Sequence, residues 1–166
     1  MNLALLIWSI IANFKNIVKR KLKDQFLQNW TEQVNTSSMG INYRIFKTQF
    51  TFENYLSTLP QSLKKAMVKF RTCNNNLPVN RSRYYDIPRY ERLCQFCNSG
   101  DIGDEYHYLL VCKHMPVLQE RQLLVKRYFY TNPNTLKFSQ LLNISKITAL
   151  KKLAKFMKFI IDTLNV

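Results

Sequence analysis

Apolar residues recur at helical spacing toward both ends of the chain and lose that period in the middle. From Leu3 to Trp30 the apolar positions are Leu3, Ile7, Ile10, Phe14, Ile17, Leu22 and Phe26, with Lys15, Lys19, Lys21 and Lys23 between them. Spacings near three and four residues line such a set along one side of a helix. A long amphipathic helix, basic in its second half, is therefore predicted. Its beginning is apolar on nearly every side, which points to a packing partner outside this chain. Thr31 to Gly40 is polar and reads as a loop or linker. Ile41 to Phe52 mixes aromatic and basic residues without a period, and short extended pieces or an irregular helix both fit it. Thr51 is placed to cap a short helix running to Leu59 and stopping before Pro60. Gln61 to Thr72 then reads as a basic helix, with Leu63, Met67 and Phe70 inward and Lys64, Lys65, Lys69 and Arg71 on its other sides.

Asn74 to Pro88 is rich in turn formers, including three consecutive asparagines, Pro78, Asn80 and Ser82. Helical spacing returns at Asp104 to Lys113, a short segment with Asp104 placed as its cap. Pro116 suits the first turn of a helix extending to about Tyr128. Tyr130 to Asn134 is a turn and Thr135 to Leu142 a helix. Ser145 is placed to cap the last helix, whose apolar set is Ile147, Leu150, Leu153, Ala154, Met157, Ile160, Ile161 and Leu164. Lys151, Lys155 and Lys158 line its opposite face. The expected fold is mainly α, with at most a short β-hairpin. Residues 1–60 are read as the N-terminal basic helix and linker, and residues 61–166 as a helical domain.

The interruption in the helical pattern holds a dense group of metal-binding side chains. Cys94, Cys97, His107 and Cys112 form Cys-x2-Cys-x9-His-x4-Cys. These are donor types that tetrahedral Zn²⁺ takes in closed structural sites. A Cys-x2-Cys turn presents two thiolates from one short loop, and a His and a Cys four residues apart can face the ion from one helical turn and its end. Gly100 and Gly103 allow the intervening loop to bend back. With four protein ligands no position remains for substrate, so the site is expected to be structural, a zinc staple spanning about residues 89–115. A redox Cys-x2-Cys would require a βαβ context, which the pattern lacks. His114 lies beyond Cys112 and breaks the ligand order. Cys73 reads as a small buried hydrophobe.

Composition narrows the class. Apolar residues make up 46% of 166, enough for a core, and only three glycines favour long helices over many-turned sheets. The net charge of +15 produces a positive field that attracts polyanions, nucleic acid before anionic membrane. The apolar opening from Leu3 to Phe14 is interrupted by Ser9 and Asn13 and is shorter than the ~20 residues of a membrane span. It also lacks the basic leader and cleavage site of a signal peptide, and a membrane anchor is the lesser alternative for it. Thiols grouped at metal spacing suit a reducing compartment, intracellular and either nuclear or cytoplasmic.

Between Ser62 and Leu93 stand eight basic and two acidic residues. Arg71, Arg81, Arg83, Tyr84, Arg89 and Arg92 pair phosphate-binding guanidiniums with a ring that can stack on bases, and are the candidate nucleic-acid contacts. The competing reading pairs these arginines with Asp86, Glu91, Asp101, Asp104 and Glu105. No phosphate-binding glycine loop, His-Glu-x2-His or paired-aspartate polymerase site is present, so no catalytic role and no small-molecule substrate are expected.

Several of these residues together resemble a known family. The series is Phe70-Arg71, Asn74, Leu77-Pro78, Arg83-Tyr84, Ile87-Pro88-Arg89 and Arg92-x-Cys94-x2-Cys97, followed by Gly103-Asp104-Glu105-x-His107-Tyr108-Leu109-x2-Cys112. It is similar to the C-terminal zinc-binding region of reverse transcriptases from non-LTR (LINE-like) retrotransposons. Pro133-Asn134-x2-Lys137-Phe138 and the Leu- and Lys-rich final helix extend the similarity to the C-terminus. Asn75, Asn80 and Ser82 depart from the family pattern, which has His, acidic and Gly residues there. The resemblance implies a non-catalytic module that grips RNA or DNA beside an upstream reverse transcriptase domain. It further implies a fragment, a decayed copy or a separate reading frame of a parent polyprotein. The alternative is a structural or protein-interaction zinc domain without nucleic-acid contact.

Overall fold

The computed structural model describes residues 3–38 and 40–164, with side chains from residue 7 onward except Ser9. The expected inward position of Leu3, and Met1 as part of an anchor, lie outside what is described. The chain divides into two compact units, Met1–Ser37 and Ser38–Val166. The architecture is mainly α, and among the described residues there is no strand, only an antiparallel bridge between Leu93 and Ile102.

The first unit is one helix, α1 (Leu3–Thr36). It continues through polar residues expected to form a linker. Thr31 and Thr36 turn their hydroxyls back onto the carbonyls of Leu27 and Glu32, both at 2.8 Å, so their polarity is absorbed within the helix. Neighbouring pairs Ile7–Trp8 and Ile10–Ile11 are exposed, so the apolar residues do not form a single narrow stripe. Among the described residues no helix is long and apolar enough to cross a membrane.

The second unit contains α2 (Tyr43–Phe46), α3 (Tyr55–Thr58), α4 (Gln61–Arg71), α5 (Pro78–Arg81), α6 (Met115–Leu124), α7 (Arg127–Tyr130), α8 (Thr135–Leu142) and α9 (Ile147–Thr163). Its centre is the packing of α4 on α9, flanked by α6 on α9 and α2 on α8. Met67 and Phe70 of α4 meet a core containing Phe138, Leu153, Ala154, Phe156, Met157 and Ile160, all essentially inaccessible. Each large apolar side chain removed from water in this way contributes about 1.5–3 kcal/mol. Lys151 and Lys155 stay on the exposed side of α9, as its pattern predicts.

Several local expectations are corrected. The division at residue 60 runs through the second unit: Phe46, Tyr55 and Leu59 are core residues and Asn42 and Lys47 are buried with them. Thr51 does not cap α3, whose N-cap is Asn54; Thr51 instead accepts from the Lys47 ammonium. Lys146, not Ser145, occupies the N-cap of α9. The helix expected to reach Tyr128 breaks at Val125, which is extended. That break places both Val125 and Phe129 in the core.

The end of α4 carries a signal that polarity alone does not reveal. Cys73 has a φ of 54°, with Asn74 N bonding Lys69 O at 2.9 Å and Cys73 N bonding Phe70 O at 3.3 Å. This is the Schellman arrangement, in which glycine is the usual left-handed residue. Cys73 occupies that position with a buried thiol, in keeping with its expected role as a small hydrophobe.

Candidate metal centre

The four candidate ligand side chains come from a tight hairpin and a π turn. Around the Leu93–Ile102 bridge, Cys94 N bonds Asp101 O at 2.8 Å and Gly103 N bonds Arg92 O at 2.9 Å. Gly100 has a φ of 73° and turns the loop. Gly103 has a different role from the one expected. It permits close approach, because a Cβ there would lie 3.1 Å from the Tyr108 hydroxyl and 3.2 Å from Cys94 Cα.

The second half of the site starts at Asp104, whose Oδ1 accepts from His107 N at 3.0 Å and caps the segment as predicted. From His107 to Val111 the backbone is π-helical, and Cys112 N closes on His107 O at 2.7 Å. In an α-helix, positions five apart diverge by about 140° around the axis. The wider turn, with its bond five residues back, brings His107 and Cys112 to the same side.

The four ligand atoms lie within 4.8 Å of one another. Cys94 Sγ is 3.6 Å from Cys97 Sγ and 3.9 Å from Cys112 Sγ, and Cys97 Sγ is 3.3 Å from His107 Nε2. Zinc bond lengths imply tetrahedral edges of about 3.8 Å between sulfurs and about 3.6 Å between sulfur and nitrogen. The observed separations match these edges. They are far from the ~2.05 Å of a disulfide, and all four cysteines are free. The donor set therefore fits a tetrahedral metal ion, with Nε2 as the histidine ligand atom.

Electrostatics divide the donors, lowering one thiol and raising another donor beside it. Hydrogen bonding from Cys112, opposed by burial and assisted by His107 and Tyr108, pushes the Cys94 thiol down to about 2. Cys112 is raised in turn, first by that same bond and then by burial. Burial lowers His107, but contacts with the Cys94 and Cys97 sulfurs outweigh it and hold the imidazole above its ordinary range. His107 Nδ1 is buried without a hydrogen-bond partner, and Asp101 Oδ2 lies 3.6 Å away. A modest inward movement of Asp101 would supply the carboxylate that metal-bound histidines commonly engage.

Two buried charged residues support the site: Arg121, which has no signal in the sequence pattern, and Glu105, whose partners are asparagines and not the expected arginines. Arg121 of α6 is 2% exposed, and its Nη2 donates to Tyr108 O at 3.0 Å and Cys112 O at 2.9 Å, tying α6 to both ends of the π turn. Glu105, also 2% exposed, accepts from Asn42 at 2.8 Å, Asn75 at 3.1 Å and Asn80 at 2.8 Å. Asn75 and Asn80 are thus integral to the fold around the site.

The six candidate nucleic-acid contacts have separate fates. Arg71 is buried. It donates to Glu53 at 3.1 and 3.2 Å and to Leu142 O, and its guanidinium lies 4.4 Å from the Phe46 ring centroid. It is a core clamp, which withdraws it as a phosphate contact. Arg89 pairs with Asp104 at 2.6 Å, and Arg92 donates to Ile87 O at 2.7 Å and Val79 O at 2.9 Å. Arg83 makes a long contact of 3.4 Å with Asn80, while Tyr84 is 88% exposed. Arg81 borders a 270 Å³ cleft together with Tyr85, Gln95 and Phe96. Asp86 and Glu91 make no ion pair among the described residues, so the acidic partners used are Glu53 and Asp104.

No protein-family model matches the chain, and neither a characterised protein nor a solved structure is detectably similar to it.

Proposed function

We propose that the chain is a non-catalytic, zinc-stapled helical module that binds nucleic acid beside a reverse transcriptase of the non-LTR type. The convergence of Cys94, Cys97, His107 and Cys112 carries the metal part of this reading. Zn²⁺ there would be held by three thiolates and one imidazole, and would supply cross-linking of the hairpin to the π turn. A net charge of +15 supports the polyanion partner. The exposed rings of Tyr84 and Tyr85, which follow half-buried Arg83 in sequence, and of Tyr90, which follows half-buried Arg89, offer candidate stacking surfaces. A second reading, a structural staple without nucleic-acid contact, is favoured by the internal use of Arg71, Arg89 and Arg92.

Elemental analysis of freshly purified, reduced protein tests the metal, with one zinc per chain expected. Anisotropy of labelled single-stranded RNA and duplex DNA across a salt series tests the partner. Phosphate-driven affinity falls steeply with salt through counterion release. Arg83→Gln with Tyr84→Ala should weaken binding to unrelated sequences. Salt-insensitive or absent binding selects the structural staple instead. An upstream reading frame with paired polymerase aspartates would support the proposed origin.

A further inference from the structure

The region formed by the end of α6, α7 and the start of α9 contains an open groove of 820 Å³, separate from the metal centre. Its lining includes Leu123, Val125, Ile144 and Leu153, and its charged members are Lys126, Arg127, Lys146 and Lys152. No acidic residue lines it. All four cations are exposed, and none makes an ion pair among the described residues. Leu123 is 72% exposed on its wall, an apolar side chain of the kind that anchors a partner when covered.

We propose that this groove docks an acidic amphipathic peptide segment of another protein, with aliphatic or aromatic side chains on the apolar floor and carboxylates toward the four cations. The volume falls within the ~300–1,000 Å³ of ordinary ligand pockets and suits a few side chains rather than a whole domain. Helix-in-groove recognition uses this division between an apolar seat and a charged rim. Single-stranded nucleic acid fits less well, because it needs free aromatic platforms and much of this lining is aliphatic. The exposed ring, Tyr128, is already occupied: it packs on Phe129 at 5.2 Å, lies under the Lys137 ammonium at 4.9 Å and bonds Gln140 at 3.1 Å. A second copy of this chain also lacks the required chemistry. Its ten acidic residues are scattered, and the cluster Asp101, Asp104 and Glu105 is folded into the metal hairpin and π turn. The proposal does not depend on whether nucleic acid binds elsewhere.

The test uses the full-length, metal-loaded protein and a fluorescein-labelled synthetic peptide with Leu and Phe along one helical face and Glu on the others. Saturable anisotropy at physiological salt is expected. Lys126→Glu with Lys152→Glu should weaken it roughly tenfold or more. Lys151→Glu with Lys155→Glu, which removes equal charge from α9 outside the groove, should leave it nearly unchanged. Leu123→Ser should also weaken binding, without altering metal content or the melting temperature. Equal losses from the two charge pairs would reduce the effect to the general field and overturn the proposal. So would undiminished binding of a peptide with Ser replacing Leu and Phe. A single-stranded RNA that displaces the peptide, with the same sensitivity to the variants, would make nucleic acid the occupant instead.

Discussion

Arg121 is buried without a carboxylate, and Glu105 is buried without a cation, yet each meets several neutral partners around the metal centre. Arg121 reaches two carbonyls from one guanidinium nitrogen, Nη2, and a thioether has no donor to replace it. Arg121→Met should therefore destabilise the second unit by about 1.5–3 kcal/mol, the range for hydrogen bonds to a charged group. It should also speed zinc transfer to a chelator, since the π turn loses its tie to α6; unchanged transfer would assign Arg121 to packing alone. The ligands themselves separate more sharply. Cys97→Ser should remove most of the bound zinc, while Cys73→Ser should retain it, because Cys73 lies in the left-handed end of α4 and outside the ligand cluster. Elemental analysis of the two variants reads the difference directly.

At the scale of elements, the π turn is where ligand spacing becomes ligand geometry. Deleting Val111 would leave all four ligands in the chain but shorten the His107–Cys112 spacing from five positions to four. The turn would relax toward an α-helix and its attachment to the buried Leu109 and Leu110 would shift. Positions four apart lie only about 40° from each other on an α-helix, so His107 and Cys112 would still share a face and zinc should be retained, while the melting temperature falls as the buried packing shifts; a deletion variant with wild-type melting would show that the π turn is dispensable. The sequence made α4, α8 and α9 readable through their apolar periods and Pro60, and it made the ligand set readable through its spacing. The π turn was not readable, because five residues of helical pattern fit either hydrogen-bond register. Nor was the internal use of Arg71: a basic residue on a basic helix looks solvated until Glu53 and Leu142, both distant in sequence, are brought to it. The break at Val125 is equally a tertiary event, with no proline or glycine to announce it.

On the scale of the whole molecule, the decisive question is where the unit that carries the candidate metal centre begins. Residues from Ser38 onward include Asn42, which bonds Glu105 at 2.8 Å, and Phe46, whose ring meets Phe138 at 6.3 Å. They also include Lys47 and Glu53, joined at 2.5 Å, with Glu53 in turn held by Arg71. Tyr55 and Leu59 complete this contribution to the core. A chain starting at Ser38 keeps every one of these contacts. It should take up one zinc and melt cooperatively near the full-length temperature. A chain starting at Gln61 loses three core side chains and leaves Arg71 without its carboxylate. Exposing buried apolar positions costs about 1.5–3 kcal/mol each, and an unpaired buried cation adds more. Such a total is comparable to the ~5–15 kcal/mol by which domains are stable at all. The shorter chain should therefore lack a cooperative transition and lose zinc readily to chelators. Circular dichroism melts of the two truncations, with zinc content measured beside them, decide the boundary. Equal stability of both would place residues 38–60 outside the folding unit, against the contacts their side chains make.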